Sequence, residues 1–169
     1  MVERCPDKTE ADGSIPSTLT MAIGDSPKIK VNNNENGVED KEKKVFKILL
    51  AEDDHFVRES LEEMFLEMGY EVEVVENGRD LFVKLQTNKY DIVFTDNSMP
   101  FLTGIQVLKK IRSSEKMKNL PVIVFSGDEN LEREVREAGG IYIGKPAKTD
   151  RILSTIRKAL REVNDHNIQ

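Results

Sequence analysis

The sequence contains a single cysteine, Cys5, and two histidines, His55 and His166, among its 169 residues. One cysteine cannot form a disulfide within the chain and cannot build a metal cluster on thiolates, so the sequence suits a reducing compartment. The two histidines lie far apart and lack the spacing of metal ligands. These shortages exclude a disulfide-stapled scaffold and a thiolate metal site.

Long apolar runs are also missing. No stretch of about 18 apolar residues is present, so we expect no membrane-spanning helix. The first seven residues lack the apolar core of a signal peptide. The predicted localisation is therefore cytoplasmic.

Basic residues are in the minority, with 25 Lys and Arg against 31 Asp and Glu and a net charge of -6. This balance argues against direct binding to nucleic acid, which needs a basic surface. The apolar fraction of 38% and the charged fraction of 33% fit a soluble protein with one hydrophobic core. The length suits one domain plus additional sequence.

The composition divides the chain into three predicted segments. Residues 1–44 are polar, show no hydrophobic period and include a low-complexity stretch at 32–37, so we expect a disordered arm. A solvated arm and a docking or localisation tail are both compatible with this composition. Residues 45–163 form the predicted folded domain, and residues 164–169 form a short C-terminal tail. Because this tail is too short for a DNA-binding module, we expect the output to be a change in protein–protein contacts.

From residue 45 onward, short apolar runs alternate with stretches of helical hydrophobic period. The predicted strands are 45–51, 71–75, 91–95, 121–125 and 141–143. The predicted helices have their apolar positions within 57–68, 78–88, 105–111, 131–138 and 152–163. This strict alternation predicts an α/β fold in which helices cover both faces of a parallel sheet. Such sheets bind ligands beyond the carboxyl ends of their strands, so the residues after each strand are the candidates for a site.

Four of the five predicted strands are followed by charged, hydroxyl-bearing or small residues. They are Glu52, Asp53 and Asp54 after the first strand, Asp96 after the third, Ser126 and Gly127 after the fourth, and Lys145 after the fifth. Clustered carboxylates repel one another, and a hard divalent cation such as Mg²⁺ relieves that repulsion. A carboxylate beside such a metal can attack phosphorus, while the metal and an ammonium neutralise the phosphoryl oxygens.

Most of these residues also have a structural interpretation. Asp53 or Asp54 could cap the first helix. Ser126 with Glu129 matches a capping box for the fourth helix. Lys145, taken alone, would be a solvated surface lysine. The combination at four strand ends is more specific than any single member of it.

The order and spacing of these residues resemble the receiver domain of bacterial and plant two-component response regulators. The resemblance extends over about residues 46–163. It is carried by ILLAEDD at 48–54, DIVFTDNSMP at 91–100, Gly104, PVIVFSG at 121–127, and Lys145-Pro146. It implies a flavodoxin-like, doubly wound (βα)5 fold with strand order 2-1-3-4-5.

The resemblance also implies a role for each site residue. Asp96 would be the phosphoacceptor. The implied Mg²⁺ ligands are Glu52 through water, Asp53, Asp96 and the backbone carbonyl of Ser98. The implied contacts to the phosphoryl group come from Ser126, Gly127 and Lys145.

Two further features follow from the resemblance. The Lys145–Pro146 peptide bond would be cis, as only an X-Pro bond readily allows. Tyr142 would couple to Ser126 as a switch that changes the surface around the fourth helix and fifth strand. The alternative for Tyr142 is a half-buried aromatic residue at the edge of the sheet.

The implied function is that of a phosphoryl-accepting response regulator in a histidine-to-aspartate phosphorelay, not an enzyme that turns over a free substrate. The implied donor is a histidine kinase or a histidine phosphotransfer protein; the downstream protein stays unknown, and no nucleic acid or membrane partner is expected. One alternative is a receiver-like scaffold that acts without phosphorylation. Another is a Mg²⁺-dependent phosphohydrolase with an aspartyl nucleophile, but such enzymes usually carry a second Asp where this chain has Ser98.

Overall fold

The computed structural model describes residues 44–166 and the side chains as far as residue 163. The predicted arm, apart from Lys44, and the last three residues of the predicted tail therefore lie outside the described residues. Lys44 itself forms an ion pair with Asp91, with 2.7 Å between Nζ and Oδ1. The last helix continues to His166, past the start of the predicted tail. The division into arm, domain and tail stays a prediction.

Five strands alternate with five helices in the described residues, as predicted. In chain order they are β1 (Lys47–Ala51), α1 (His55–Glu67), β2 (Glu71–Val75), α2 (Gly78–Thr87), β3 (Ile92–Asp96), α3 (Gly104–Arg112), β4 (Val122–Ser126), α4 (Leu131–Glu137), β5 (Ile141–Gly144) and α5 (Thr149–His166). Three strands begin one or two residues later than the apolar runs suggested. In β1 the reason is pairing: the ladder with β2 starts at Lys47, and Val45 is exposed.

The sheet has the order β2-β1-β3-β4-β5 with every neighbouring pair parallel, which confirms the predicted fold. Because side chains alternate along a strand, each strand feeds two cores. In β1, Leu49 and Ala51 pack on the face covered by α2, α3 and α4, whereas Ile48 and Leu50 pack on the face covered by α1 and α5. The strands of the interior are buried on both faces, which explains their continuous apolar runs.

Local capping sets where three of the helices begin. Asp54 caps α1 by accepting a hydrogen bond from the Val57 N–H at 3.0 Å, so the capping interpretation holds for Asp54. Asn77 caps α2 in the same way, and Thr103 forms a capping box with Gln106 at the start of α3.

The predicted capping box of Ser126 and Glu129 is wrong. Ser126 is the last residue of β4, and α4 begins only at Leu131, with Asn130 as an N-cap that makes no side-chain capping bond. The Ser126 Oγ instead accepts from the Asp128 N–H at 3.2 Å. A turn of several residues therefore separates the Ser126 hydroxyl from the helix.

The strand order places the site. The chain moves from β1 outward to β2 and then crosses back to β3 on the other side of β1. The carboxyl ends of β1 and β3 are neighbours at this reversal, where doubly wound sheets leave a crevice for ligands. Glu52 and Asp96 lie at these two strand ends.

Candidate functional site

Three carboxylates meet at the carboxyl ends of β1 and β3. Glu52, Asp53 and Asp96 each offer an oxygen within 4.8 Å of the others, and we call them the carboxylate cluster. Glu52 and Asp96 are buried, with 2% and 5% of their surface exposed, whereas Asp53 is exposed. The cluster is thus closed toward the protein and open to solvent on the side of Asp53.

Lys145 joins two members of the carboxylate cluster. Its Nζ lies 2.7 Å from Asp96 Oδ1 and 2.9 Å from Glu52 Oε2. Its backbone N–H donates to the Ser126 carbonyl at 2.8 Å, and the Lys145–Pro146 bond is cis, as predicted. The interpretation of Lys145 as a solvated surface lysine is therefore wrong. The residue follows the end of β5, and its side chain extends across the end of β4 to the carboxylate cluster.

Burial and charge act against each other on the two ends of this ion pair. Burial raises the pKa of Glu52 above its ordinary value, although the Lys145 ammonium pulls it down. Burial also lowers the pKa of Lys145, but hydrogen bonds to Asp96 and Glu52 outweigh it, so that the pKa of Lys145 is raised. Lys145 therefore stays protonated at neutral pH and supplies a fixed positive charge beside Asp96.

Asp96 is held by the chain that follows it. Its Oδ2 accepts a short hydrogen bond from the Ser98 N–H. The loop then folds back, because the Gly104 N–H donates to the Asn97 carbonyl at 3.2 Å and the Ile105 N–H donates to Asn97 Oδ1 at 3.2 Å. A Cβ at Gly104 would lie 2.5 Å from the Asp96 carbonyl oxygen, so only glycine permits this approach.

The end of β4 contributes a hydroxyl and an open backbone. Ser126 is 3% exposed, and Gly127 is exposed with no atom within 4 Å of the position of a Cβ. Tyr142 is 8% exposed, and its hydroxyl donates to the carbonyls of Ser126 at 3.0 Å and Asp128 at 3.1 Å. The ring is therefore buried and not a half-buried edge aromatic. Burial raises the pKa of the Tyr142 hydroxyl, and nearby acidic groups add to this effect.

Sequence reasoning missed Arg58. This arginine of α1 is only 8% exposed and donates to the backbone carbonyls of Glu52 and Asp53, two residues of the carboxylate cluster. The signal was present: Arg58 precedes Leu61 and Phe65 on the buried stripe of the helix. A cation on such a stripe requires polar partners in the interior.

The donor set fits a hard divalent cation. Its atoms are carboxylate oxygens, which Mg²⁺ prefers, and Asp53 is accessible from solvent. Three carboxylates face one ammonium, so the site has an excess of negative charge to neutralise. Ser98, whose carbonyl was predicted as a further ligand, is joined to the cluster through its N–H.

Comparison with known proteins identifies the family. A family model described as the response regulator receiver domain matches residues 48–157. The chain belongs to this family. As a receiver it is a domain of two-component signal transduction.

Curated relatives of the receiver include response regulators and kinases. It is 32% identical over 118 residues to response regulator MprA of Mycolicibacterium vanbaalenii, covering 68% of this chain and 50% of that protein. It is 33% identical over 129 residues to hybrid signal transduction histidine kinase L of Dictyostelium discoideum, covering 71% of this chain and 8% of that protein. The receiver thus spans about half the length of the first relative and a small part of the second.

Solved structures share the fold. Chemotaxis response regulator CheY4 of Vibrio cholerae superposes with a TM-score of 0.63 at 26% identity, covering 69% of this chain and 99% of that one. The receiver domain of a sensor histidine kinase from Pseudomonas aeruginosa gives a TM-score of 0.64 at 26% identity, covering 69% and 98%. That structure has a magnesium ion coordinated in its active site cleft. Within residues 44–166 of the present receiver, no helix is both long and apolar enough to cross a membrane.

Proposed function

We propose that this receiver accepts a phosphoryl group on Asp96 from a phosphohistidine, in a reaction that requires Mg²⁺. The observation that carries the proposal is the position of the Asp96 carboxylate, buried within the carboxylate cluster and 2.7 Å from the Lys145 ammonium. An acidic group in such a place serves poorly as a structural residue, because burial of like charges is costly. It serves well as a nucleophile, because the Lys145 ammonium is already in place to compensate the negative charge of the aspartyl phosphate.

The transfer is a displacement at phosphorus. An oxygen of Asp96 forms the new P–O bond, the P–N bond to the donor histidine breaks, and the imidazole leaves with the electron pair. The Lys145 ammonium is paired with Asp96 Oδ1, and it can stabilise the negative charge that develops on the phosphoryl oxygens during transfer. The Ser126 hydroxyl and the Gly127 N–H, at the adjacent end of β4, are the proposed donors to the other phosphoryl oxygens.

Asp53, Asp96 and the Ser98 carbonyl would hold Mg²⁺ directly, and Glu52 would hold it through water. The bound ion would neutralise the carboxylates and the transferring phosphoryl oxygens. The magnesium in the similar Pseudomonas aeruginosa receiver supports this assignment. Burial raises the pKa of Glu52, and a bound cation would act in the opposite direction.

The proposed donor is a histidine kinase or a histidine phosphotransfer protein. This class of donor is supported by the similarity to a stretch of about 130 residues in each of two kinases. They are hybrid signal transduction histidine kinase L of Dictyostelium discoideum and the peroxide stress-activated histidine kinase mak3 of Schizosaccharomyces pombe. The proposed output is a change in protein–protein contacts near α4 and β5, since Tyr142 ties β5 to the carbonyls of Ser126 and Asp128.

The test is the intact mass of the protein after incubation with Mg²⁺ and acetyl phosphate, with Asp96→Asn as the matched control. We expect one phosphoryl adduct on the wild type, none without Mg²⁺ and none on the variant. If the wild type takes no adduct, beryllofluoride, which mimics the bound phosphoryl group, is added with Mg²⁺. Failure of both reactions would contradict the proposal and favour a receiver-like scaffold.

A further inference from the structure

Arg58 contacts the backbone of Glu52 and Asp53 in the carboxylate cluster, and the sequence predicted no role for it. Its side chain is 10% exposed although it sits in the first turns of α1, beside the apolar residues of that helix. Burial of a guanidinium is unfavourable unless its donors are satisfied and its charge is compensated. The partners of Arg58 are therefore informative.

Two partners of Arg58 are backbone carbonyls of residues that belong to the carboxylate cluster. Nη1 donates to the Glu52 carbonyl at 2.7 Å and to the Asp53 carbonyl at 3.3 Å. The Glu52 N–H donates to the Val75 carbonyl of β2 at 3.2 Å. The peptide groups on both sides of Glu52 are thus fixed, one by β2 and the other by α1.

The second nitrogen of the guanidinium points to the neighbouring loop. Nη2 donates to Glu76 Oε1 at 2.9 Å and lies 3.5 Å from His55 Nδ1. Glu76 is 72% exposed, so solvent screens this ion pair and it contributes little. The contact to the Glu52 carbonyl is buried, whereas the contacts to the Asp53 carbonyl and to Glu76 are part-buried, so the backbone of Glu52 is the main partner of Arg58.

We propose that Arg58 is a positioning residue, which holds the backbone of Glu52 and Asp53 so that their carboxylates are placed for the cation before it binds. The inference rests on the proposed Mg²⁺ site and extends it to a residue that touches neither the ion nor the phosphoryl group. With the carbonyls drawn toward α1, the Glu52 side chain meets Lys145 and the Asp53 side chain stays at the solvent side of the cluster. Binding of the cation then does not include the entropy cost of ordering the loop after β1.

The variant that tests this role is Arg58→Lys, which keeps the charge but replaces the planar fork by one ammonium. Mg²⁺ binding to the metal-free full chain is measured by titration calorimetry, without any phosphodonor. We expect Arg58→Lys to bind Mg²⁺ about tenfold more weakly, as for other residues that orient metal ligands. Glu76→Gln should bind within about twofold of the wild type, because the carbonyl contacts remain.

A stability control separates positioning from general loosening. Ile111→Val removes a methyl group from the buried core on the opposite face of the sheet. We expect it to lower the thermal midpoint while leaving the Mg²⁺ affinity of the folded protein unchanged. If Arg58→Lys binds Mg²⁺ as the wild type does, the positioning role is overturned even if the variant is less stable.

A second measurement needs no variant. In nitrogen-15 spectra of the metal-free wild type, we expect the Arg58 guanidinium protons to exchange with water much more slowly than those of exposed Arg157. Equal exchange would overturn the proposal, because the loop would then not be held before binding. If instead the wild type binds no Mg²⁺ while Arg58 exchange is slow, the proposed metal site fails and the loop contact stands.

Discussion

At the scale of single residues, Asp96 is constrained at every oxygen. Oδ1 meets the Lys145 ammonium, Oδ2 meets the Ser98 N–H, and the carbonyl accepts from the Thr95 hydroxyl at 2.9 Å. The same carbonyl faces Gly104 across a gap that admits no side chain. The proposed nucleophile is therefore preorganised by its neighbours, which avoids a cost of ordering during the reaction.

The substitution Gly104→Ala tests this constraint. Its Cβ would lie 2.5 Å from the Asp96 carbonyl oxygen and 3.1 Å from Asn97 Cα, so the backbone of the phosphoacceptor must move. We expect the free energy of unfolding in urea to fall by about 1–3 kcal/mol, as for other overpacked sites, although alanine favours helices. Phosphorylation by acetyl phosphate, followed by mass, should become slower.

Gly127→Ala is the matched control for that experiment. No atom lies within 4 Å of its added Cβ, so the free energy of unfolding should stay within about 0.5 kcal/mol of the wild type. Equal stability of Gly104→Ala and the wild type would show that the loop after β3 yields easily. The rigidity ascribed to Asp96 would then be wrong.

The sequence predicted which side chains come together at the site, but not all of the contacts that position them. Asp53, Asp96 and Lys145 could be found because they follow parallel strands, whose carboxyl ends share one edge of the sheet. The buried position of Arg58 could be predicted from the stripe it shares with Leu61 and Phe65, but its partners could not, since they include backbone carbonyls, which every residue carries. The inward position of Tyr142 likewise depends on a turn at the end of β4 whose course the sequence does not reveal.

At the scale of elements, the polar contacts of Glu73 connect edge strand β2 to its neighbours. This carboxylate lies 2.6 Å from Lys84 Nζ of α2 and 3.0 Å from Lys47 Nζ of β1, and it accepts from the Tyr90 hydroxyl at 2.8 Å. These contacts, with Lys84 the largest contributor, lower the pKa of Glu73 to about 2. One side chain thus connects β2 to its neighbouring strand and to the helix that follows.

The depressed pKa of Glu73 predicts a pH dependence of stability. Because the folded protein holds this carboxylate ionised, its contribution is complete above the ordinary pKa of 4.5 and is lost as the pH falls toward 2. We expect Glu73→Gln to be less stable than the wild type at pH 7. The difference in urea midpoint should shrink between pH 4.5 and 2.

The control for this pH series is Glu115→Gln, which alters an exposed ion pair with Lys118 on the surface. We expect its urea midpoint to follow that of the wild type at every pH. A Glu73→Gln deficit that stays constant down to pH 2 would show that packing, and not ionisation, accounts for the loss.

Strand β5 is linked to the turn before α4 by one hydroxyl. Tyr142→Phe keeps the buried ring but removes both hydrogen bonds to the Ser126 and Asp128 carbonyls. We expect a loss of about 1 kcal/mol in the free energy of unfolding, and faster amide exchange of residues 127–131. Unchanged exchange in that segment would mean that the hydroxyl does not restrain the turn.

The alternation of strands and helices was predictable, and the boundaries were less so. The apolar run at the start of the domain extended the first strand to Val45, but strand pairing decides the boundary and begins at Lys47. The apolar positions placed the beginning of α4 correctly at Leu131, but the spacing of Ser126 and Glu129 suggested a capping box that does not form. In the structure the serine ends a strand, and strand pairing prevails over the local pattern.

At the scale of the whole molecule, the carboxylate cluster couples stability to the proposed cation. If Mg²⁺ binds the folded state and not the unfolded state, it should raise the free energy of unfolding by about 2.7 kcal/mol at a Mg²⁺ concentration of one hundred times Kd. Asp53→Asn, which removes the exposed carboxylate, should abolish most of this gain. Thermal melts with and without Mg²⁺ measure both, and an equal gain in the variant would place the cation elsewhere.

The position of the phosphoryl group can be read chemically. Protein treated with Mg²⁺ and acetyl phosphate is reduced with borohydride, which converts an aspartyl phosphate into homoserine, and its peptides are mapped by mass spectrometry. We predict homoserine at position 96 and none at Asp53 or Asp54, the other aspartates beside the site. Homoserine at either of those positions, or at none in a protein that carries a phosphoryl adduct, would contradict Asp96 as the acceptor.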